Sequence, residues 1–390
     1  MRIPISYNLR NLMVRRFSTL SAALGIGLVV TIFILVLALA YGFSYALKTA
    51  GSPDNAIVLR KGSNAEVASG IEREDVDSLS VRPEIAKDEK AGPLVVQDMV
   101  VLVVLRRRAD DAPAQVVIRG TTEMAPLVHP NLKIVEGGRM FRPGLPEVVV
   151  GRALSERVKN LRLGETVELK RRDWKVVGIF DTGGTGFESE IWGDVNLMQA
   201  AFKREGVYQS VTFRMADPAK FPELKASLEA DPKYEVDVKR EAEYYAEQAG
   251  TLSTFIGILG TLITIIMSVG AVFGAMNTMY AAVGSRSREI ATLRALGFRR
   301  RSILASFLIE SLVLAALGGV LGCLFSLPLN GITTSTINWD TFSELAFAFR
   351  VTPEILCGGF AFAIIMGMVG GFLPALRAAR LPITTGLRQI

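Results

Sequence analysis

Four long stretches of the chain carry almost no charged residue, and this pattern constrains the fold more than any other feature of the sequence. They cover residues 17–45, 252–280, 303–329 and 355–372. An α-helix needs about 20 predominantly apolar residues to cross the hydrocarbon core of a bilayer. The sequence therefore predicts four membrane spans, with one long polar segment between the first and the second.

The charged residues divide the chain into two parts of opposite sign. Residues 48–247 hold 30 basic and 33 acidic side chains, whereas the rest of the chain holds 14 basic side chains, all arginine, and 5 acidic ones. By the positive-inside rule, the segments rich in arginine are cytoplasmic and the long polar segment lies outside. Thirteen of these arginines lie in three short segments: Arg2, Arg10, Arg15 and Arg16; Arg286, Arg288, Arg294, Arg299, Arg300 and Arg301; Arg377, Arg380 and Arg388.

Hydropathy and charge together give the expected organisation of a multi-pass membrane protein, with both termini cytoplasmic and the large domain outside. We expect an amphipathic helix at 1–16, spans at 17–47, 249–282, 303–331 and 354–376, an extracytoplasmic domain at 48–248, a cytoplasmic loop at 283–302, a short outer loop at 332–353 and a cytoplasmic tail at 377–390.

Two alternatives concern the N-terminal region. The first apolar stretch could be a cleaved signal peptide, since Arg15 and Arg16 precede a run that ends in Ala38-Leu39-Ala40. That run is about twice the usual length of a signal peptide's apolar region and stays apolar through Leu47, which favours an uncleaved span. Residues 7–17 fit an amphipathic helix on the inner leaflet and fit a plain charged flank equally well.

Three pairs of glycines at a spacing of four residues predict a tightly packed bundle of helices. Residues four apart share one helical face, and small residues there let a neighbouring helix approach closely. The pairs are Gly270 and Gly274, Gly318 and Gly322, and Gly367 and Gly371. Glu310 is the single carboxylate well within a span, so the spans offer no chain of ionisable groups for a proton or an ion.

The segment 48–248 is long enough for one elongated domain or two compact lobes. Patterns typical of strand, helix and strand occur at its start, at 56–60, 73–79 and 93–105 with a further strand at 115–119, and again at its end, at 209–215, 222–230 and 234–238. They predict an α+β domain interrupted by a β-rich inserted lobe at about 128–208. Residues 240–250, which contain no proline, predict a helix that continues without a break into the second span.

The residue types that most enzymes and metal sites use are scarce. The chain has one histidine, His129, and two cysteines inside predicted spans, so we expect no metal cluster, disulfide or histidine-based catalysis. No basic stripe with interleaved aromatic residues points to a nucleic acid.

Asp181-Thr182-Gly183 has the form of an aspartic-protease signature, but that chemistry needs two carboxyls sharing a proton, so a glycine-rich loop at 183–186 is favoured. The acidic segment 188–194 has no predicted role.

The predicted cytoplasmic loop contains a short amphipathic helix. Ser287 can cap its start, and Gly297 can end it. Ile290, Leu293 and Leu296 are expected on one apolar face, with arginines beside them. The segment is too short and too charged to cross a bilayer, so it either binds a partner on the inner side or rests on lipid headgroups.

This loop and two other segments resemble a known family. The similar segments are 283–298 with 303–319, the C-terminal stretch 371–383, and Asn8-Leu9-Arg10-Asn11 before the first span. In these segments and in its four-span layout, the chain resembles the permease subunits of MacB/FtsX/LolC-type ABC transporters. The resemblance implies a protein of the bacterial inner membrane, with the large domain and the 332–353 loop in the periplasm. It also implies that the 283–302 loop is a coupling helix that docks on a cytoplasmic ATPase. With the helical pattern, it assigns this coupling to Arg286, Arg288, Glu289, Ile290, Leu293, Arg294, Ala295, Leu296 and Gly297.

The nucleotide is expected on a partner chain. The sequence contains no Gly-x-x-x-x-Gly-Lys-Ser/Thr phosphate loop and no lysine after Lys239. We therefore expect a non-catalytic subunit without a cofactor of its own, and ATP and magnesium bound by a separate ATPase. The resemblance implies an assembly of two permease chains, as a homodimer, with two ATPase chains.

The resemblance also implies a mechanism, in which closure of the ATPase moves the coupling helix, the long second-span helix and the outer domain. Since the spans lack a polar route, we expect the work to be done outside the membrane. We favour MacB-like export of periplasmic molecules through a periplasmic adaptor and an outer-membrane channel, because the outer domain has the size of those pumps. The alternatives are FtsX-like signalling to a cell-wall hydrolase and LolC/E-like extraction of lipoproteins.

Overall fold

The computed structural model describes residues 16–338 and 341–383, so the amphipathic helix expected at 1–16 lies outside the described residues except for Arg16. The chain divides into two compact units. The membrane unit comprises residues up to Tyr41, Thr254–Ile332 and residues from Phe349 onward, and the outer unit comprises Gly42–Ser253 and Thr333–Ala348.

The described residues form ten α-helices and sixteen strands. In chain order they are α1 (Arg16–Lys48), β1 (Asn55–Arg60), β2 (Ile71–Glu72), α2 (Arg73–Ser80), β3 (Lys87–Asp88), β4 (Gly92–Pro93), β5 (Val95–Arg106), β6 (Pro113–Thr121), α3 (Ala125–Val128), β7 (Lys133–Ile134), β8 (Glu147–Gly151), α4 (Arg152–Arg157), β9 (Thr166–Leu169), β10 (Arg172–Asp181), β11 (Glu190–Asp194), α5 (Val195–Phe202), β12 (Val207–Tyr208), β13 (Ser210–Arg214), α6 (Phe221–Ala230), β14 (Val236–Arg240), α7 (Glu241–Ser285), α8 (Ser287–Ala295), α9 (Arg300–Ser326), β15 (Thr333–Ile337), β16 (Glu344–Ala348) and α10 (Pro353–Arg380).

Four of these helices, α1, α7, α9 and α10, are long and apolar enough to cross a membrane. The predicted fold class, four spanning helices and an outer domain of mixed helices and strands, is confirmed. Helix α7 runs unbroken for 45 residues, as the absence of proline predicts. Helix α10 begins where Thr352 accepts a hydrogen bond from the backbone N–H of Ile355 at 3.4 Å, with Pro353 in the first helical position.

Glycines bring α1, α9 and α10 into close contact in the membrane unit. A Cβ at Gly318 would stand 2.7 Å from the Cβ of Ile26, and one at Gly322 would stand 2.7 Å from the Cβ of Val30. Such distances are too short for any side chain, so α9 packs directly on α1. In the same way, Gly367 and Gly371 of α10 lie against Ala315 and Ser311 of α9.

Gly270 and Gly274 on α7 do not share in this packing. No heavy atom of the described residues lies within 4 Å of the point where a Cβ would stand at either glycine. Their spacing places both on one face of α7, but no other described helix lies against that face. The expectation that all three glycine pairs pack against a neighbouring helix therefore does not hold for this pair within the described chain.

A ten-stranded mixed sheet forms the centre of the outer unit. The strand order is β14-β1-β13-β5-β6-β11-β8-β10-β7, and β9 pairs with β10 off this path. Strand β5 joins two halves, since residues 95–98 pair with β13 and residues 99–106 pair with β6. The second half therefore begins within β5, upstream of the boundary expected at 128. The reason is that β6 pairs in parallel with β11 of that half and not with β1 or β13.

Both faces of this sheet are covered. Along β1, Ala56 and Val58 belong to one apolar cluster and Ile57 and Leu59 to another, as the alternation of side chains in a strand requires. The second cluster also includes Tyr244 and Tyr245, which are buried. The first turns of α7 therefore pack on the sheet.

The segment expected as a short loop at 332–353 contains a β-hairpin. Strands β15 and β16 are antiparallel, with Thr333 opposite Ala348 and Ile337 opposite Glu344. The hairpin was not predicted because Thr333–Ile337 is a polar, threonine-rich strand without the alternation of a half-buried one.

Candidate functional site

A buried arginine connects the two halves of the outer sheet. Arg119 on β6 is 3% exposed and forms ion pairs with Glu66, Asp98 and Glu190. It donates hydrogen bonds to Glu66 at 2.7 and 3.0 Å, to Asp98 at 3.0 Å and to Glu190 at 2.8 and 3.0 Å. A buried charge is costly unless it is paired and hydrogen-bonded, and here every nitrogen of the guanidinium has a carboxylate partner. We call these four residues the Arg119 cluster.

The Arg119 cluster places three carboxyl groups around one guanidinium, and their pKa values separate accordingly. Burial, aided by the charge of Glu66, raises the pKa of Asp98 to about 6 despite the attraction of Arg119. Burial also raises the pKa of Glu190. For Glu66, burial acts in the same direction, but the attraction of Arg119 and hydrogen bonds outweigh it, so its pKa is lowered. Burial thus favours the protonated forms of Asp98 and Glu190, whereas the charged form is favoured at Glu66.

The start of α7 contacts the Arg119 cluster through two tyrosines. The hydroxyl of Tyr245 donates to Glu66 at 3.4 Å, and the hydroxyl of Tyr244 accepts a hydrogen bond from the backbone N–H of Glu66 at 2.9 Å. The hydroxyl of Ser210 on β13 donates to the same carboxylate at 2.6 Å. Glu66 therefore bonds α7 and both halves of the sheet at once.

Glu241, the first residue of α7, holds the segment that follows α1. Its side-chain carboxyl group, whose pKa burial raises to about 8, accepts hydrogen bonds from the backbone N–H of Ser52 at 2.9 Å and from the side-chain amide of Asn55 at 2.8 Å. A Cβ at Gly51 would stand 2.6 Å from the carbonyl carbon of Glu241, so only glycine fits there. Within the outer unit, the segment that enters it from α1 and the helix that leaves it are thus bonded to each other.

The single histidine is part of this packing. The Nδ1 of His129 lies 3.4 Å from a carboxyl oxygen of Glu241, and its ring packs on Phe187 and Trp192. Burial lowers the pKa of His129 to about 3, so the ring is neutral at pH 7. Within the described residues, no group of three or more His, Cys, Asp and Glu side chains is arranged to hold a metal ion.

The acidic segment 188–194 serves the interior of the outer unit. Glu190 belongs to the Arg119 cluster, and Glu188 accepts hydrogen bonds from the backbone N–H groups of Thr182 and Gly184 at 3.0 and 2.6 Å. Asp181, the acidic residue of the protease-like motif, forms an ion pair with Arg152 at 2.6 Å. Asp181, Glu188 and Glu190 therefore all have hydrogen-bond or ion-pair partners within the outer unit. The signal that could have revealed the cluster is an arginine at the end of the apolar run 116–118 on a strand buried on both faces.

The loop predicted to be cytoplasmic forms helix α8, and its two ends are capped in different ways. Arg286 occupies the N-cap position, so Ser287 is the first helical residue and not the cap that the sequence predicts. At the other end, Gly297 has φ +93°, its N–H donates to Arg294 and the N–H of Phe298 donates to Leu293 at 3.2 Å. This Schellman arrangement needs a left-handed residue, which glycine adopts without strain.

Two arginines fasten α8 to the membrane unit. The Nη1 of Arg286 donates to the carboxylate of Glu310 on α9 at 3.0 Å, and both side chains are buried. The guanidinium also lies over the ring of Phe307 at 5.2 Å and 3.3 Å from Glu289. Arg294 donates to the backbone carbonyl of Leu381, after α10, at 2.5 Å. The carboxylate within the third span is therefore an anchor for the loop.

The predicted apolar face of α8 is divided between two sides of the helix. Ile290 is 3% exposed and packs against Ile303 and Phe307, whereas Leu296 is 67% exposed. Residues six apart are separated by about 120° around an α-helix, so the two side chains cannot point the same way. The outward side carries Arg288, Glu289, Thr292, Ala295 and Leu296, all exposed. It is a surface of mixed charged and apolar residues on a helix held at both ends.

Two family models match the sequence. The model of the MacB-like periplasmic core domain matches residues 19–231, and that of the FtsX-like permease C-terminal domain matches residues 249–383.

Curated relatives with similar sequences are membrane transport proteins. The pyoverdine export ATP-binding/permease protein PvdT of Pseudomonas fluorescens is 29% identical over 66% of this chain and 40% of its own length. The ABC transporter permease YknZ of Bacillus subtilis is 27% identical over 66% of both chains. The macrolide export ATP-binding/permease protein MacB of Nitrosomonas europaea is 26% identical over 80% of this chain and 47% of its own. The chain thus spans two thirds or less of the length of these relatives.

Two solved structures are similar to about half of the chain. The periplasmic region of MacB from Actinobacillus actinomycetemcomitans is 14% identical, with a TM-score of 0.37 over 53% of this chain and 96% of that one. The extracellular domain of the transporter YknZ from Gram-positive bacteria is 16% identical, with a TM-score of 0.34 over 50% of this chain and 95% of that one.

Replacing Arg119 by methionine should destabilise the outer unit by about 3–5 kcal/mol, because three buried carboxyl groups lose their cation. Thermal unfolding of the full chain in detergent, followed by the fluorescence of the buried Trp174 and Trp192, measures the effect. Arg172→Met removes an exposed arginine and is the matched control. Equal melting of the two variants would contradict the role of the cluster.

Asp98→Asn should gain stability relative to the wild type as the pH rises from 4 to 7. Near pH 4 the carboxyl is largely protonated in the folded chain and resembles the amide. Because burial raises its pKa from 3.8 to about 6, wild-type stability is lost as the pH rises through that range, by about 3 kcal/mol. Urea unfolding at each pH measures it, with the exposed Asp173→Asn as the control. A difference that stays constant with pH would refute the assignment.

Proposed function

This chain belongs to the family of ABC transporter permeases that combine a MacB-like periplasmic core domain with an FtsX-like permease domain, and we propose that it converts ATP hydrolysis by a separate cytoplasmic ATPase into movement of its outer unit. A permease of this family works with an ATPase. We also propose that the ATPase is a separate chain and that two copies of it bind a homodimer of this permease.

The observation that carries the proposal is the construction of α8. The ion pair of Arg286 with Glu310 and the bond from Arg294 to Leu381 fix the helix on its inward side. The outward side is left open, with Leu296 67% exposed among charged residues. A rigidly held helix with an accessible mixed surface can receive a push and pass it to α9 without bending first.

In this proposal, the long helix α7 transmits the movement to the outer unit. Its first residues bond Ser52, Asn55 and the Arg119 cluster, so a displacement of α7 must carry the outer sheet with it. One unbroken helix transmits an axial movement along its whole length, which at 1.5 Å per residue is about 67 Å for 45 residues.

We further propose that the outer unit drives export of periplasmic molecules through an adaptor and an outer-membrane channel. Support comes from the match of residues 19–231 to the MacB-like periplasmic core and from relatives named for pyoverdine export and macrolide export. Purification of the tagged chain from native membranes tests this. An adaptor among the co-purifying proteins would support export, whereas a cell-wall hydrolase or a lipoprotein would overturn it in favour of signalling or extraction.

Replacing Leu296 by arginine should weaken the binding of the ATPase at least tenfold, because a charge replaces an exposed apolar side chain at the C-terminal end of the outward side of α8. Binding of the co-purified ATPase to the chain in lipid nanodiscs gives the affinity. Val81→Arg changes an apolar residue of the outer unit that is at least as exposed, at 77%, and should leave the affinity unchanged. Normal binding by the Leu296 variant would remove α8 from the docking surface.

The orientation can be tested separately. A cysteine at Glu168, an exposed position of β9, should react with a membrane-impermeant maleimide in cells whose outer membrane has been permeabilised. A cysteine at Arg288 should react only after the inner membrane is opened. Both are placed in a chain with Cys323 and Cys357 replaced by alanine. The reverse pattern of labelling would invert the topology.

A further inference from the structure

The segment between the third and fourth spans is folded onto the outer unit. Its strands β15 and β16 belong to the same compact unit as residues 42–253. A two-stranded hairpin is marginally stable at best by itself in water. Contacts with the rest of the outer unit must therefore hold this one in place.

The first of these contacts is an ion pair at the end of α4. The Nη2 of Arg157 donates to the carboxylate of Glu344 and to the hydroxyl of Ser335, which itself donates to Glu344 at 2.6 Å. The Nη1 of Arg107 lies 3.9 Å from the same carboxylate oxygen. The side chains of Arg157 and Glu344 are 24% and 14% exposed, so solvent screens this pair less than it screens a surface ion pair.

Further contacts follow along β16. The backbone N–H of Ala346 donates to the hydroxyl of Ser189 at 2.8 Å. A Cβ at Gly186 would stand 3.1 Å from Leu345, and the ring of Phe347 packs edge-on against Phe43 at 5.4 Å. Residues 345–347 are buried by these contacts. The hairpin is therefore attached by polar and apolar contacts along a whole strand.

The chain passes between the two units four times, after residues 41, 253, 332 and 348. Two of these passages lie in α1 and α7. The other two belong to the hairpin, which connects α9 to α10. Helix α9 is also the helix that bonds the loop helix α8 through Glu310. A displacement received by α8 therefore reaches the start of β15 along α9 without passing through α7.

We propose that Arg157 and Glu344 form a latch that fastens the hairpin to the second half of the outer sheet, so that the outer unit is moved by α9 and α10 as well as by α7. The latch remains closed while the outer unit moves. The attachment stands on the contacts described above, and only its mechanical use rests on the proposed function.

Charge reversal should open the latch. Glu344→Arg places a third positive charge beside Arg157 and Arg107, and amide hydrogen exchange of residues 333–348 should become at least tenfold faster in the full chain in nanodiscs. The double variant Arg157→Glu with Glu344→Arg should recover most of the protection. Lys159→Glu breaks an exposed ion pair with Asp111 and is the matched control, with unchanged exchange. Exchange at the wild-type rate in Glu344→Arg would overturn the latch.

A cysteine pair tests the attachment even if Glu344→Arg unfolds the outer unit. Ser189→Cys with Ala346→Cys, in a chain without Cys323 and Cys357, should form a disulfide on mild oxidation, because the hydroxyl of Ser189, where the new thiol would stand, lies 2.8 Å from the backbone nitrogen of Ala346. Failure to cross-link would overturn the attachment.

The same cross-linked protein tests the mechanical use. With the ATPase and ATP, the change in exchange across β8 and β11 should persist in the cross-linked chain and become smaller in Glu344→Arg, in which α7 alone still moves the outer unit. Loss on cross-linking would show that the hairpin has to detach, which overturns a latch that stays closed. If the wild type shows no ATP-dependent change in exchange, the proposed function is overturned. The attachment of the hairpin is tested separately, by the exchange and the cross-linking measured without ATP.

Discussion

The outer unit depends on one buried guanidinium. Arg119 lies next to the point where β5 passes from one half of the sheet to the other, and its partners come from three different places in the chain. Removing such a charge from water is costly, and only the complete set of carboxylates offsets that cost. Apolar side chains could fill the same volume in many ways, whereas the five hydrogen bonds of Arg119 are satisfied in one arrangement. We infer that the cluster fixes the register of the two halves and the starting position of α7.

The membrane unit also contains a buried ion pair, between Arg286 and Glu310. A single carboxylate within the third span, Glu310, would be expensive in a bilayer if it were alone. Its bond to Arg286 instead places a charged loop beside the helix that continues from it. The intramembrane carboxylate is thereby explained by the position of α8, without any pathway for ions.

Sequence patterns predicted the elements that depend on residues close together in the chain. Long uncharged runs gave the four spans, the absence of proline gave the unbroken α7, and glycine gave the end of α8. The Arg119 cluster could not be predicted in this way, because its partners lie 53, 21 and 71 residues from Arg119 in the sequence. The inward packing of Ile290, and the lack of a described neighbour beside Gly270, likewise depend on which helices lie next to each other. The spacing of residues along the sequence does not contain that information. The hairpin was missed because its pairing is stabilised by distant residues such as Arg157.

The shared strand β5 has a consequence for how such a domain can change over evolutionary time. Its twelve residues serve both halves, and no linker separates them. Deleting either half would leave unpaired backbone along a hydrophobic strand, which invites aggregation. Variation in size is therefore tolerated at the two margins of the sheet, beyond β14 and beyond β7 and β9, where an added strand extends the ladder without breaking it. New surfaces for new partners would be acquired at these margins, while the middle of the sheet stays the same.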